Sequence, residues 1–249
     1  MTVSSIVKPL FRVKISIITA VFNNRDTVAQ ALDSVLSQSH LDSELVVIDG
    51  GSTDGTLNIL SGYIDRMAVF VSEPDSGIYD ALNKGIAKAT GDVVGFLHSD
   101  DLMADESVLK RVADAFADPA VDAVYGDLVY VSRNDPSRVV RRWKAGSFNV
   151  NQFRWGWMPP HPTFYVRREI YERLGSFDTT FRIAADYDCM LRFLKAGIRV
   201  TYIPHLQVRM RVGGMSNRSL HSIVAKSIED LRALRKNDIS AAVALICRT

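Results

Sequence analysis

The sequence contains only two cysteines, Cys189 and Cys247, among its 249 residues. Two are too few for a disulfide framework or a cysteine-rich zinc site, so a reducing compartment is the simpler expectation. No run of about 18 apolar residues occurs, and no transmembrane helix is therefore predicted. The N-terminus also lacks a charged segment followed by a long apolar stretch, which is the pattern of a secretory signal. We therefore expect a cytoplasmic protein.

An excess of charge of one sign is also missing, because 30 basic residues stand against 28 acidic ones. A composition of 47% hydrophobic and 23% charged residues excludes disordered, collagen-like and coiled-coil proteins. The charges are nevertheless segregated, with acids in the first half and nine basic against three acidic residues between Arg138 and Arg182. An acidic half can hold a metal and a basic half can face anions, although chance distribution over a solvated surface is the alternative. No nucleic-acid recognition module is recognisable, so nucleic acid is not an expected partner.

Short apolar runs alternate with helical patterns in the first half of the chain. This alternation predicts a mostly parallel α/β sheet flanked by helices, with ligands outside the carboxyl ends of the strands. The predicted strands cover residues 14–20, 44–48, 67–71 and 93–97. The first predicted helix begins at 26–27, and the next three cover 53–64, 78–88 and 105–117.

The pattern changes in the second half, where a mixed or antiparallel arrangement is predicted. Strands are expected at 121–131, 138–143 and 199–203, and helices at 167–174, 186–195 and 219–236. The stretch 146–162 resists assignment. A basic, glycine-containing loop from Arg209 to Arg218 suits an anion, with a flexible turn as the alternative. No linker or repeat interrupts the chain, so one domain over residues 1–249 is expected.

Carboxylates follow two of the predicted strands directly. Asp49 precedes Gly50 and Gly51, where a ligand can approach the backbone, and its alternative role is to cap the next helix, for which Asp54 is the stronger candidate. Asp100 and Asp101 are adjacent, and a hard divalent cation would relieve their repulsion. The alternative is that Asp101 caps the following helix.

Two further residues are candidates for proton transfer. Asp186 opens a predicted helix and could be a general base or, with equal weight, an N-cap. His161 lies between Pro160 and Pro162, which hold the backbone extended. A hydrogen-bonded, partly buried histidine is favoured there over a ligand or a base.

At these residues the sequence resembles the family 2 glycosyltransferases, which are inverting enzymes with the GT-A fold. The resemblance is greatest for transferases that build bacterial polysaccharides or glycolipids. It implies a nucleotide-sugar-binding half at 13–118, an acceptor-binding half at 119–218 and a C-terminal helix and tail at 219–249. The segments that carry it are SIITAVFNN (16–24), ELVVIDGGSTDGT (44–56), SEPDSGIYDALNKGIAKATGD (72–92), VVGFLHSDD (93–101), HPTFYVRREIYERLGSFD (161–178) and AADYDCMLRF (184–193).

The resemblance also implies roles for individual residues. Asp186 falls at the position of the catalytic base, and Asp100 and Asp101 fall in the motif that binds Mg²⁺ or Mn²⁺. Three positions depart from the family pattern, namely Ala20 in place of proline, His98 in place of an acid and Ala185 in place of glutamate. The implied contacts to the donor nucleotide sugar are Ala20, Phe22, Asp49, Asp75, Asn83, Lys84 and Asp100.

The implied reaction moves a sugar from a UDP- or GDP-sugar to a hydroxyl of a saccharide or lipid-linked acceptor. Trp143, Trp155, Trp157 and His161 would shape the acceptor pocket, because aromatic faces suit sugar rings. The departures at His98 and Ala185 motivate an alternative, a catalytically degenerate nucleotide-sugar-binding protein. The basic last helix and the apolar run 239–247 predict peripheral contact with the inner face of the plasma membrane. The alternative is that the apolar run packs on the protein itself or on a second subunit, as in a homodimer.

Overall fold

The computed structural model describes residues 12–148, 157–213 and 220–239, and within the last helix it describes side chains from residue 224 onwards. Nine strands of this part of the chain form one sheet. The strands are β1 (Ile15–Val21), β2 (Ser43–Asp49), β3 (Val69–Ser72), β4 (Val93–Phe96), β5 (Leu102–Met103), β6 (Ala123–Val131), β7 (Val139–Trp143), β8 (Tyr165–Arg167) and β9 (Val200–Arg211). The helices are α1 (Val28–Leu36), α2 (Thr56–Ser61), α3 (Ile78–Lys88), α4 (Val108–Phe116), α5 (Arg168–Leu174), α6 (Ala185–Lys195) and α7 (Leu220–Lys236).

The sheet has the order β3-β2-β1-β4-β8-β6-β9-β5, and β7 pairs with β6 beside this path. β1 pairs in parallel with β2 and β4, and β2 with β3. β8 is antiparallel to both β4 and β6, so β6 runs in the same direction as β4. The carboxyl ends of β1, β2, β4 and β6 therefore lie at one edge of the sheet, called the site edge below. The predicted α/β fold, mostly parallel with a mixed second half, is confirmed.

Helices cover both faces of the sheet because the inner strands are apolar on both sides. One buried cluster joins Ile18 and Ile48 to α3, α5 and α6, and the other joins Ile17 and Val47 to α1 and α4. α3 approaches β1 so closely that a Cβ at Gly85 would lie 2.3 Å from the Ile18 side chain. A larger residue at position 85 would push the helix off the sheet.

Several elements differ from the sequence predictions. The helix predicted at 53–64 is the shorter α2 followed by a 3₁₀ turn at Ile64–Arg66. The short strands β5 and β8 were not predicted. β9 continues to Arg211, so the prediction of a loop from Arg209 is wrong for Arg209 and Arg211. The remaining loop residues Gly214, Ser216, Asn217 and Arg218 lie outside the described residues.

The aromatic residues predicted to shape an acceptor pocket are separated. Trp143 is on β7 and packs against the cluster of α1 and α4. Trp157 packs against Tyr125 and Phe148, with ring centroids 5.8 and 5.6 Å apart. Trp155 lies outside the described part of the chain. A role for Trp157 at the acceptor stays a prediction.

No helix of the described residues is both long and apolar enough to cross a membrane. The basic residues of α7 predicted to face lipid are mostly engaged with the protein instead. Lys226 pairs with Asp230 at 2.7 Å, and Arg232 lies 4.3 Å from the Phe181 ring. Lys236 pairs with Asp178 and Asp188 at 2.8 and 3.0 Å. The tail beyond residue 239, to which the membrane and homodimer predictions also refer, lies outside the described residues.

Candidate active site

Two adjacent asparagines tie together the loops at the site edge. Asn23 adopts a left-handed backbone (φ 47°), and its backbone N–H donates to the Ser52 hydroxyl at 2.8 Å. Its side-chain oxygen accepts the Thr53 N–H at 2.8 Å. The Asn24 side chain donates to the Ser99 hydroxyl at 2.8 Å. The polar clusters that follow β1, β2 and β4 in the sequence are therefore one connected structure.

Asp49 ends β2 as a fully buried carboxylate that accepts four hydrogen bonds. Its donors are the backbone N–H groups of Gly51 and Ser52, both at 3.0 Å, and the hydroxyls of Ser52 and Ser72. Four donors satisfy the carboxylate and fix the Gly50–Ser52 turn. Asp49 is thus not the cap of α2. Asp54 binds the first N–H of that helix, at 3.0 Å from Thr56.

Asp75 lies across this turn from Asp49. A Cβ at Gly50 would lie only 2.3 Å from the Asp75 carboxylate, so a larger residue at position 50 would displace that side chain. Two other residues predicted to contact the donor nucleotide sugar differ in their exposure to solvent. Phe22 is 62% exposed just beyond β1, whereas Ala20 is buried within the strand. The role of each at a donor stays a prediction.

Two residues of α3 that are predicted to contact the donor nucleotide sugar, Asn83 and Lys84, bind other groups of the protein. The Asn83 amide donates to the Phe177 carbonyl at 2.9 Å and accepts the Phe177 N–H at 3.0 Å. Lys84 pairs with Glu73 at 2.8 Å and lies 3.5 Å from Asp80. The Asn83 side chain therefore holds the loop before α6, and Lys84 braces the loop that carries Asp75.

Asp100 and Asp101 have very different surroundings. Asp101 is 1% exposed, and its Oδ1 accepts the backbone N–H of Arg211 at 2.9 Å. The Arg211 guanidinium, itself buried, donates to the Asp100 carbonyl and to the Gln30 side chain. Asp101 is therefore not the cap of α4. The Asp100 carboxylate is half-buried and has no hydrogen-bond or ion-pair partner among the described residues.

The chemistry of this pair suits a hard cation. Burial, reinforced by the charge of Asp100, raises the pKa of Asp101 well above its usual value. The second oxygen of Asp101 is buried without a hydrogen-bond partner in the described part of the protein. Among the described residues no group of three or more His, Cys, Asp or Glu side chains forms a metal cage. A cation here would take part of its shell from the oxygens of a bound diphosphate, as Mg²⁺ commonly does.

Asp186 is the second residue of α6 and does not cap it. The N-cap is Ala184, and the backbone N–H groups of residues 182–184 donate to Glu229 of α7 at 2.8–3.2 Å. The N-cap alternative for Asp186 is therefore wrong. Its Oδ1 lies 3.2 Å from the hydroxyl of Tyr79, whose single proton is shared with the Ile183 carbonyl at 2.6 Å. The carboxylate is 26% exposed.

Asp188, two residues further along α6, has a structural role. It is fully buried and accepts hydrogen bonds from Lys236 and Asn237, both at 3.0 Å. Its carboxylate anchors the end of α7 to α6. The two carboxylates of this helix thus have different roles, because Asp188 is bound within the protein and Asp186 lies at the cleft.

Two histidines lie beside Asp186. The His161 Nδ1 is 4.0 Å from the Asp186 Oδ2, and its ring stacks on Phe96 at 5.6 Å and lies 6.1 Å from the His98 ring. Burial lowers the pKa of His161 to about 4. Burial also lowers the pKa of His98, although the charges of Asp100 and Asp186 oppose this shift. Both shifts favour the neutral imidazole at pH 7, so neither histidine favours an ion pair with Asp186.

Two residues of this site, Tyr79 and Glu229, are not singled out by the sequence, and Arg211 is singled out there for a different role, in an anion-binding loop. Tyr79 lies in the motif GIYDALNKG, whose helical spacing accounts for it as a core residue. Arg211 was assigned to a loop, and Glu229 lies in a helix with no motif. Their partners are more than 40 residues away, namely Asp186, Asp101 and residues 182–184. No local pattern in a single sequence indicates such pairings.

Comparison with known proteins agrees with this geometry. Residues 16–183 match the sequence model described as Glycosyl transferase family 2. The PGL/p-HBAD biosynthesis glycosyltransferase of Mycobacterium bovis (strain BCG / Pasteur 1173P2) is 33% identical over 208 residues, covering 81% of this chain and 78% of that protein. An uncharacterized glycosyltransferase of Mycobacterium tuberculosis (strain CDC 1551 / Oshkosh) is 34% identical over 186 residues, covering 72% and 68%.

Solved structures share the fold at lower identity. The mannosyltransferase PcManGT from Pyrobaculum calidifontis, in complex with GDP-Man and Mn²⁺, superposes with a TM-score of 0.67 at 22% identity over 92% of this chain. TarS from S. aureus, in complex with UDP-GlcNAc, gives 0.71 at 20% identity over 90%. This chain spans 65% of the length of each. From the family match and the curated relatives, the chain belongs to glycosyl transferase family 2 and is a glycosyltransferase.

Proposed function

We propose that this glycosyltransferase is metal-dependent and inverting, and that it moves a sugar from a UDP- or GDP-sugar to a hydroxyl of a saccharide or lipid-linked acceptor. The biological setting that we propose is the synthesis of bacterial surface polysaccharide or glycolipid. The observation that carries the mechanism is Asp186. It is a carboxylate free of any capping role, placed at the same cleft as His98 and the Asp100 motif.

The donor would lie over the loops after β1, β2 and β3. Solved neighbours with GDP-Man and Mn²⁺ and with UDP-GlcNAc support a nucleotide sugar of this kind. Asp100 would be the main protein ligand of a divalent cation, because its carboxylate is accessible whereas that of Asp101 is buried. When bound there, such a cation supplies positive charge that stabilises the leaving diphosphate.

The proposed chemical step depends on whether the Asp186 carboxylate can accept a proton. Because burial favours the neutral forms of His161 and His98, the carboxylate is not neutralised by an ion pair and can take the proton of an acceptor hydroxyl. As the hydroxyl oxygen bonds to the anomeric carbon, the bond from that carbon to the diphosphate oxygen breaks on the opposite face. A single displacement of this kind inverts the configuration.

A screen of nucleotide sugars for metal-dependent thermal stabilisation tests this proposal first, since a ligand that binds only the native state raises its stability. We expect stabilisation by one UDP- or GDP-sugar together with Mn²⁺ or Mg²⁺. Turnover of that donor with an acceptor, and an inverted anomeric product by NMR, would complete the assignment. Stabilisation without any transfer or donor hydrolysis would instead favour a degenerate nucleotide-sugar-binding protein.

Asp49→Ala should weaken binding of the nucleotide both with and without metal. The substitution leaves the donors of the Gly50–Ser52 turn without their acceptor, and each unsatisfied buried group costs about 1–3 kcal/mol. The free energy of unfolding and the affinity for UDP should therefore fall together, as measured by denaturant titration and calorimetry. Unchanged UDP affinity without metal would exclude Asp49 and its turn from the base site.

Tyr79→Phe should lower kcat about 10-fold and leave the KM for the donor unchanged. The phenol is the hydrogen-bond partner that orients Asp186, and small misplacements of a reacting group are costly. Tyr165→Phe is the matched control, because Tyr165 is also buried and, among the described residues, its hydroxyl has a hydrogen-bond partner only in the Met103 sulfur, at 3.7 Å. An equal loss of kcat in both variants would contradict a positioning role for Tyr79.

A further inference from the structure

The hairpin formed by β6 and β7 exposes an unusual concentration of positive charge. Residues 132–144 carry five basic residues and one acid, Asp135. The Asp135 carboxylate is engaged with the Ser137 N–H and hydroxyl at the hairpin tip, at 3.0 and 2.6 Å. No basic side chain of the hairpin forms an ion pair within the described residues. These side chains are Arg133, Arg138, Arg141, Arg142 and Lys144, all exposed.

Apolar side chains lie among these charges. Val139 and Val140 of β7 are 40% and 58% exposed. They are successive residues of a strand and so point to opposite faces. Arg141 lies over the Tyr130 ring at 5.7 Å, which leaves its charge outward. The surface therefore combines cations with exposed aliphatic groups, and its charges are spread along a strand and a tip instead of converging on a pocket.

The hairpin projects from the site edge. Val131, the last residue of β6, is paired with Arg211 of β9, and Arg211 donates to the Asp100 carbonyl. Burial lowers the pKa of the Arg211 guanidinium, and the positive charge of Arg133 contributes to this lowering, so Arg133 lies within electrostatic reach of Arg211. Whatever surface the hairpin binds would thus face the mouth of the Asp100–Asp186 cleft.

We propose that the β6–β7 hairpin docks the protein on an anionic lipid bilayer, with the cleft turned toward the membrane. Spread cations match a plane of phosphate headgroups, and exposed valines gain by entering the interface. This placement is independent of α7, whose basic residues are mostly engaged with the protein. The docking does not depend on the transferase mechanism, and it would bring a lipid-linked acceptor to the cleft.

The competing explanation is protection of an open sheet edge. β7 pairs only with β6 in the described sheet, and charged residues on edge strands discourage pairing with other chains. That explanation accounts for the arginines but not for the adjacent exposed valines. It also predicts no affinity for vesicles, so the two can be separated by experiment.

The test uses full-length protein and flotation with vesicles of phosphatidylcholine, alone or with about 30 mol% phosphatidylglycerol, which gives the vesicles an anionic surface. The wild type should float only with anionic vesicles. Each basic residue near such a surface adds about 1 kcal/mol, so a triple R138Q/R141Q/R142Q variant should bind about 100-fold more weakly. Arg133 is left unchanged because its charge acts on Arg211.

The matched control neutralises three exposed basic residues outside the hairpin, as K88Q/R173Q/R199Q. It changes the net charge equally and should bind like the wild type. V139S/V140S should lose the part of binding that survives in 0.5 M salt, about the level at which surface charges are screened. The proposal is overturned if the wild type does not float, if the hairpin variant floats like the wild type, or if the control loses as much. Unaltered thermal unfolding shows that each variant is folded.

Discussion

An Asp186→Asn enzyme is expected to lose about 10²- to 10⁴-fold in turnover, the span usual for a lost general base. Asparagine keeps the size of the side chain and an oxygen that can accept the Tyr79 hydrogen bond, but it cannot take a proton. Because Asp186 does not cap α6, thermal stability and donor affinity should change little. Initial rates with the acceptor, together with thermal unfolding, provide the measurement.

Asp188→Asn is the matched control on the same helix. Asp188 is buried against Lys236 and Asn237, so its neutralisation should lower stability while leaving turnover of the folded enzyme near that of the wild type. The two variants are expected to behave in opposite ways. Full activity of Asp186→Asn with the true acceptor would contradict the assignment and move the base role to another group, of which His161 is the nearest.

The parallel half of the fold could be predicted because its signals are local. β1, β2 and β4 are apolar on both faces and α3 has helical periodicity, so α3 was assigned with its exact bounds. β5 and β8 contain two and three residues, and only their pairing with distant strands makes them strands. β9 contains Pro204, and its pairing with β6 shifts register at Gly126 and Asp127, which breaks the alternation expected of a strand.

The location of the site could be predicted from the sequence, but the role of each residue in it could not. The polar residues after the strands do meet at one edge, as strand direction requires. Asp49, Asn83 and Asp188 are residue types that suit ligands and structural hydrogen bonds equally, and only their partners distinguish the two. For Asn83 the partner is the backbone of Phe177, 94 positions away, which no spacing could indicate.

The two adjacent aspartates of the proposed metal motif should respond differently to neutralisation. Asp100→Asn should remove the part of the UDP affinity that depends on Mn²⁺. We expect a loss of at least about 100-fold in the presence of Mn²⁺, because losing even an outer-shell partner of a metal ligand costs about 10–100-fold in metal affinity. Without metal, its UDP affinity and thermal stability should match the wild type, because the Asp100 carboxylate has no partner within the described residues.

Asp101→Asn is the natural comparison, since it keeps an oxygen to accept the Arg211 N–H. Burial already favours the neutral form of Asp101. Asp101→Asn should therefore reduce the Mn²⁺-dependent UDP affinity less than Asp100→Asn does, and it should not lower stability. Calorimetric titration of UDP with and without Mn²⁺ measures both variants on one scale. The reverse order, with Asp101→Asn losing the metal contribution and Asp100→Asn keeping it, would make the buried carboxylate the main ligand and would require Arg211 to move aside when metal binds.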